Sequence, residues 1–246
     1  MATDLTCQKP EPATPWLQRD LRKVAAAATA GLVCGFAVNG IGSRLAMMLL
    51  ARLNPHATGR ISDDGFRMGQ LTLDNTIGLV AFTTAVGVLG GLIFLTVRSL
   101  RFGPLWFRVA SISIGPAVVV GSMLVHTDGI DFHVLKPIWL AVALFVALPG
   151  LFAFTVSLLT DRWTRPDAWA VRTERAWLLG LAPLVLVLPA APLVATGFVG
   201  RVLHQRFPAL RDATATRHVQ NLARAMLVLL FGLALRDLVS KIIVLV

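Results

Sequence analysis

The chain has 246 residues, of which 56% are hydrophobic and 15% are charged, and its mean hydropathy is +0.72. These values exclude an ordinary soluble domain. The net charge of +10 comes from basic residues divided among short connectors. It therefore favours topology signals and contacts with anionic lipid headgroups over binding of nucleic acid. The two cysteines, Cys7 and Cys34, exclude a disulfide framework.

Six apolar stretches are close to the length that a membrane crossing requires, since about 20 residues at 1.5 Å each cover a hydrocarbon core of roughly 30 Å. The sequence thus predicts an all-α membrane protein with a bundle of about six transmembrane helices in one domain, residues 24–246. We find no internal repeat and no heptad array. The predicted spans are approximately 24–44, 77–97, 109–125, 138–159, 176–199 and 222–246.

Residues 1–23 form a tail in which Thr14-Pro15 predicts the start of an interfacial amphipathic helix. Basic residues precede the first span and recur in the second and fourth connectors. The positive-inside rule places all of these segments, and the N-terminus, in the cytoplasm. The basic residues are Arg19, Arg22, Lys23, Arg98, Arg101, Arg108, Arg162, Arg165, Arg172 and Arg175.

The first span contains Asn39, which is a candidate intramembrane polar site. Small residues four apart, Gly31 with Gly35 in this span and Gly87 with Gly91 in the second, allow helices to approach closely. We interpret them as packing faces within the bundle. A homodimer seam is the alternative.

The first exoplasmic loop, residues 53–76, contains the turn signal Asp64-Gly65 and predicts a short β-hairpin. A two-stranded ribbon is marginal alone, so it must rest on the membrane mouth or on the other outer loop. Asp63, Asp64 and Asp74 are candidates for a cation-attracting rim. Turn chemistry is the alternative explanation for Asp63 and Asp64.

The second exoplasmic loop carries His126, Asp128, Asp131 and His133, which are ligand types that zinc accepts. Their spacing matches no known signature. The alternative is that Asp128-Gly129 forms a turn and Asp131 caps a short helix. We predict no cofactor, and a divalent metal at this loop is the one option that the sequence offers.

The connector before the last helix conflicts with six simple crossings, which would place it outside. It contains one carboxylate, Asp212, and five arginines: Arg201, Arg206, Arg211, Arg217 and Arg224. Pro189-Ala-Ala-Pro192 in the fifth segment would allow a re-entrant hairpin instead of a crossing. We adopt the ordinary kinked span and keep the hairpin as the alternative.

The last helix holds three charges beyond the midplane. Asp237 and Lys241 are four apart with the acid first, which predicts an internal ion pair. Arg236 points about 100° away from Asp237 and needs another partner or a snorkelling route to the interface. An ion-coupling or substrate role for these charges is the alternative.

Four segments together resemble an uncharacterised family of multi-span bacterial integral membrane proteins. They are Gly42-Ser-Arg44-Leu-Ala-Met-Met48, Asp63-Asp-Gly-Phe66, His126-Thr-Asp-Gly-Ile-Asp-Phe132 and the segment from Pro137 to Pro149. The resemblance implies the bacterial inner (plasma) membrane and directs attention to the outer loops. It brings no activity.

No catalytic or nucleotide-binding motif is present in the sequence. We therefore expect a non-enzymatic accessory or assembly partner that acts through helix packing and exoplasmic loops. One alternative is a small-solute or ion transporter or channel, and another is an exoplasmic metal-dependent enzyme. Expected partners are the bilayer with its anionic headgroups and a membrane protein or a second copy, without nucleic acid.

Overall fold

The computed structural model describes residues 15–62, 65, 67–69, 73–127, 129–165, 167–169, 176–190, 192, 196–197, 200 and 217–245. Its regular elements are helical. Four helices are long and apolar enough to cross a membrane, as the apolar stretches predict: Gln18–Leu53, Thr76–Leu100, Leu105–Leu124 and Ile138–Trp163. The count of six predicted from sequence is not reached among the described residues.

The α-helices are α1 (Pro15–Cys34), α2 (Gly42–Leu53), α3 (Leu73–Val97), α4 (Leu105–Leu124), α5 (Ile130–Val134), α6 (Ile138–Trp163), α7 (Ala176–Leu179) and α8 (Arg217–Leu245). A π-helical segment, Gly35–Ile41, joins α1 to α2 without a break, because the residues flanking it are also helical. Residues 15–53 are thus one continuous helical rod, which includes the tail helix, the first span and the start of the first outer loop. Shorter 3-10 segments are Pro55–Ala57, Arg98–Leu100 and Ala182–Ala190.

Helices α1 and α3 pack backbone against backbone through the predicted glycines. A Cβ atom added to Gly87 would lie 2.5 Å from the carbonyl oxygen of Gly31 and 2.5 Å from the Cα atom of Gly35. Gly91 lies in the same way against Ala27. Because these faces are occupied within the chain, they do not form the homodimer seam that was the alternative.

The remaining helices extend this pair into a row. Gly121 of α4 lies against Val146 of α6, and Val156 of α6 packs with Ala30 and Cys34 of α1. Helix α8 packs on α4, at the edge of the row. The 3-10 segment Ala182–Ala190 packs on α1 and α3, near the other edge, where Val187 joins Ala28 and Val88 in a small core.

The loops at one end of the bundle form a packed cap over the helices. Its core contains Met68 from the first outer loop together with Phe132 and Leu135 from the second. Leu50 of α2 and Val142 of α6 belong to the same core. The first loop therefore rests on the second loop and on the ends of the helices. We call this end of the bundle the capped end.

The predicted β-hairpin is not confirmed. The described part of the loop contains one isolated antiparallel bridge, between Ile61 and Arg67, and no strand. Gly65 has φ +81° and donates its amide to the carbonyl of Ser62 at 2.9 Å. Asp63 and Asp64 lie outside the described residues.

The last helix starts at the end opposite the cap. Arg224 Nε donates a hydrogen bond of 3.2 Å to the carbonyl of Leu100, in the connector between α3 and α4. Lys241 Nζ reaches the carbonyl of Ser122, near the C-terminus of α4. Helix α8 is therefore parallel to α4. We call the end that contains Leu100 and Arg224 the basic end.

Helix α7 ends at this same basic end. The carbonyl of Gly180 accepts a hydrogen bond of 3.3 Å from Thr29 in the first half of α1, and Gly180 lies against Ala25 and Trp169. A single crossing by residues 176–199 would put Gly180 and Arg224 at opposite ends. The structure therefore favours the re-entrant alternative, but most of residues 191–216 lie outside the described part of the chain, so the ordinary kinked span stays a prediction.

Candidate functional site

The carboxylate and ammonium groups of α8 neutralise each other. Lys241 Nζ lies 2.7 Å from Asp237 Oδ2, which is the i,i+4 ion pair expected from their spacing. Lys241 also donates a 2.7 Å hydrogen bond to the Ser122 carbonyl, where the C-terminal partial charge of α4 favours a cation. This pair joins α8 to α4.

Arg236 faces away from the bundle. The face of α8 that packs on α4 consists of Phe231, Ala234, Leu238, Lys241, Ile242 and Leu245. At about 100° per residue, Arg236 lies roughly 160° around the helix from Leu238. Its side chain is exposed, and it forms no ion pair or hydrogen bond within the described part of the chain.

The contacts of α8 also define the depth of Arg236. Arg224, level with Leu100, is about 18 Å away along the helix, and Lys241, level with Ser122, is about 7.5 Å away. Side chains of a helix lean toward its N-terminus. In α8 this direction leads away from the nearer interface, at the C-terminal end, so it opposes snorkelling of Arg236 to that interface. If α8 crosses the membrane, as the apolar stretch 222–246 predicts, an arginine at this position costs about 3 kcal/mol on insertion scales. Of the three charges in the C-terminal part of α8, Arg236, Asp237 and Lys241, Arg236 is the one left without a neutralising group in the described residues.

Asn39 lies in the π-helical segment. It is partly buried, and its side-chain amide makes no hydrogen bond within the described residues. The adjacent Gly40 lies against Thr83 of α3. Wide π turns occur often at functional sites, so Asn39 remains a candidate.

A transport pathway would require Asn39 and the charges of α8 to line one polar cavity. The π-helical segment packs mainly on α3 and α6, whereas α8 packs mainly on α4. The two best-formed depressions of the described surface lie at the capped end, with volumes of about 10 and 240 Å³. Neither is lined by Asn39 or by α8.

The two outer loops are joined by Asn54, a residue that the sequence analysis missed. Asn54 is 3% exposed. Its Nδ2 group donates to the carbonyls of Leu50 at 2.9 Å and of Lys136 at 2.8 Å, and its Oδ1 accepts the amide of Lys136 at 2.9 Å. His56 Nε2 adds a contact of 3.2 Å to the carbonyl of Val134. The side chain of Asn54 thus makes the hydrogen bonds that would join the two loops backbone to backbone if they paired as strands.

The candidate metal ligands are not brought together in the described residues, among which no group of three metal-ligating side chains forms. His126 and His133 are exposed, and His126 Nδ1 lies 3.2 Å from the carbonyl of Leu124. Asp128 and the side chain of Asp131 lie outside the described part, so the structure does not test the metal option at this loop.

An ion-pair network closes the basic end. Arg101 binds both carboxylate oxygens of Asp161, at 2.8 and 3.2 Å, and its guanidinium carbon lies 5.3 Å from the centre of the Phe94 ring. Arg98 lies 3.6 Å from the same carboxylate and donates to Thr164. One acid at the end of α6 therefore holds the end of α3. Sequence analysis assigned these arginines to topology alone.

Arg44 is a second residue whose position was not foreseen. It ends the predicted first span, yet it lies in the continuous rod and is 6% exposed. The signal available in the sequence was a single arginine within the apolar run from Ile41 to Leu50.

The comparisons with known proteins add no identity. No protein-family model matches the chain, and no curated protein or solved structure does.

Proposed function

We propose that this chain is a non-enzymatic assembly partner of the bacterial inner membrane, with α8 as its docking helix. The observation that carries the proposal is Arg236, which faces outward from α8 without a neutralising group in the described chain. In the proposed topology α8 crosses the membrane, which puts Arg236 at hydrocarbon depth. Ionisable groups within a membrane face a protein interior and pair there. A second helix that brings an acceptor to Arg236 supplies such an interior.

The proposed topology has five crossings, with the N-terminus in the cytoplasm and the C-terminus outside. In this scheme residues 176–199 form a re-entrant hairpin. The shared location of Gly180 and Arg224 at the basic end supports it. The positive-inside rule supports it too, because every arginine-rich connector, including residues 201–224, then falls on one side.

Fusions and labelling test this topology. A C-terminal alkaline phosphatase fusion is expected to be active and a C-terminal green fluorescent protein fusion to be dark. In a cysteine-free background, an impermeant thiol reagent is expected to label Arg60→Cys, whose position is exposed at the capped end, and not Arg165→Cys. A bright C-terminal fluorescent protein would refute five crossings.

Photo-crosslinking in native membranes tests the docking role. We would place benzoylphenylalanine at Leu233, which is 56% exposed on the outward face of α8, and at Phe82, which is 63% exposed on α3, as the control. Position 233 is expected to yield a protein adduct and position 82 lipid adducts only. Absence of any protein adduct from position 233 would refute the docking role.

Transport is the alternative, favoured by the π-helical segment at Asn39. The two functions differ in which variants complement a deletion strain. A transporter is expected to keep its function when the outward face of α8 is blocked by crosslinking and to lose it in Asn39→Leu. An assembly partner is expected to lose its function when that face is blocked and to keep it in Asn39→Leu.

A further inference from the structure

Helix α8 has a second apolar seam, opposite the one that packs on α4. Residues on its outward side recur at alternating spacings of four and three, which is a short heptad-like pattern within this one helix. Five apolar members of the seam are between 56% and 72% exposed. The seam comprises Leu222, Met226, Leu229, Leu233, Arg236 and Ser240 and continues to Ile243.

This spacing is typical of a helix that packs against a parallel partner through knobs and holes. If Leu233 and Ser240 take the a positions, Arg236 takes a d position and Asp237 the adjacent e position. In a parallel pair, a side chain at d inserts between the a, d, e and following a residues of the facing helix. Arg236 would therefore meet an Asp237 carboxylate across the seam.

We propose that the occupant of this face is a second copy of the chain, with Arg236 of each protomer bound to the partner's Asp237. The inference rests on the proposed docking role of α8. Two copies in one membrane share the same orientation, so Arg236 and the partner's Asp237 lie at equal depth, and a two-fold axis along the membrane normal makes both pairs at once. Asp237 is half exposed beside Lys241 and has a free side for the second cation.

Local shape agrees with close approach of a second helix. Gly232 lies one turn before Arg236, and a Cβ atom added there would meet nothing within 4 Å. Ser240 lies one turn after Arg236 and donates to the carbonyl of Asp237 on its own helix. Small residues on both sides of the arginine let neighbouring backbones approach. A polar residue at a core position also selects one register and one oligomeric state.

A charge-exchange experiment tests the pairing. R236D alone and D237R alone each bring like charges across the seam, and each is expected to lose at least about tenfold in dimer affinity. Co-expression of differently tagged R236D and D237R chains restores both pairs with reversed sign. Co-purification of this mixture, with monodisperse elution of each variant, is the expected result. Mixed chains that associate no better than either variant alone would overturn the proposal.

Disulfide crosslinking tests self-association without any change of charge on α8. In a Cys7→Ser/Cys34→Ala background, we compare Leu233→Cys on the seam with Leu235→Cys, which is 40% exposed and lies roughly 160° around the helix from Leu233. Oxidation in native membranes is expected to yield at least about tenfold more dimer from position 233, because a positions face each other across a parallel pair. Equal yields, or no dimer, would refute self-association.

The combined outcomes separate this inference from the docking role on which it rests. A photo-adduct from position 233 to a different protein, without a disulfide dimer, keeps the docking role and refutes the second copy. Failure of both crosslinks refutes both.

Discussion

Replacing Asn54 is expected to release the cap from the helices. Asn54→Ala removes three hydrogen bonds and leaves the amide and carbonyl of Lys136 without their side-chain partner. Both hydrogen bonds to Lys136 are partly buried, and a fully buried backbone group left unsatisfied costs about 1–3 kcal/mol. Two such groups give a loss of about 2–4 kcal/mol when some water enters the gap. For a chain of this size that loss lowers Tm by about 4–16 °C.

The assay is thermal unfolding in mild detergent, paired with hydrogen exchange of the amides in residues 54–58 and 130–136. The matched control is His56→Ala, which removes one exposed contact to the neighbouring Val134 carbonyl and is expected to change stability by less than about 0.5 kcal/mol. Asn54→Asp is a sharper variant, because it retains the acceptor for the Lys136 amide and loses both donated bonds. If Asn54→Ala and His56→Ala unfolded at the same temperature, the clamp would have no energetic role.

Two further predictions concern helix packing and the basic end, and one concerns metal. Gly87→Ala is expected to lower stability by about 1–3 kcal/mol because its methyl group would meet the backbone of α1. The control is Gly78→Ala on the same helix, whose methyl group meets nothing and which is expected to be neutral or stabilising by up to about 1 kcal/mol. Equal effects of the two substitutions in a thermal shift assay would contradict the backbone contact. Asp161→Asn is expected to lower Tm by about 2–4 °C through loss of a bidentate arginine pair, while Asp167→Asn, at an exposed position, serves as the unaffected control. Metal analysis of the purified protein is expected to find no stoichiometric transition metal, and a metal lost on replacing both histidines of the second outer loop would contradict this.

Features that depend on local composition were predictable from the sequence. Apolar length identified four spans, and glycines four apart identified the face on which α1 meets α3. The acid-first spacing of Asp237 and Lys241 identified their ion pair. Each of these depends on residues within one or two turns of a helix, or on the steric property of a single residue type.

Features that depend on distant parts of the chain were not predictable. Asn54 matters because of the backbone of Lys136, which is 82 positions away in sequence. Hydropathy gives the position and length of an apolar segment but not its orientation. It therefore could not predict that α8 runs parallel to α4. The excess of arginine in residues 201–224 was the available signal, and it agrees with that course, whereas the count of apolar stretches does not.

The position of α8 at the edge of the row explains why a charge on its outer face has consequences beyond this helix. Lipid tails are as apolar as leucine, so an edge helix gains nothing from hiding an apolar seam; association in the membrane is driven by close packing and by polar contacts. In the proposed assembly, the seam supplies close packing around Gly232, where an added Cβ atom meets nothing, and Arg236 supplies a polar group that lipid tails cannot satisfy. Substituting Arg236→Leu is therefore expected to make the single chain easier to insert while it weakens assembly. A substitution with these opposite effects would separate the folding of α8 from its docking role.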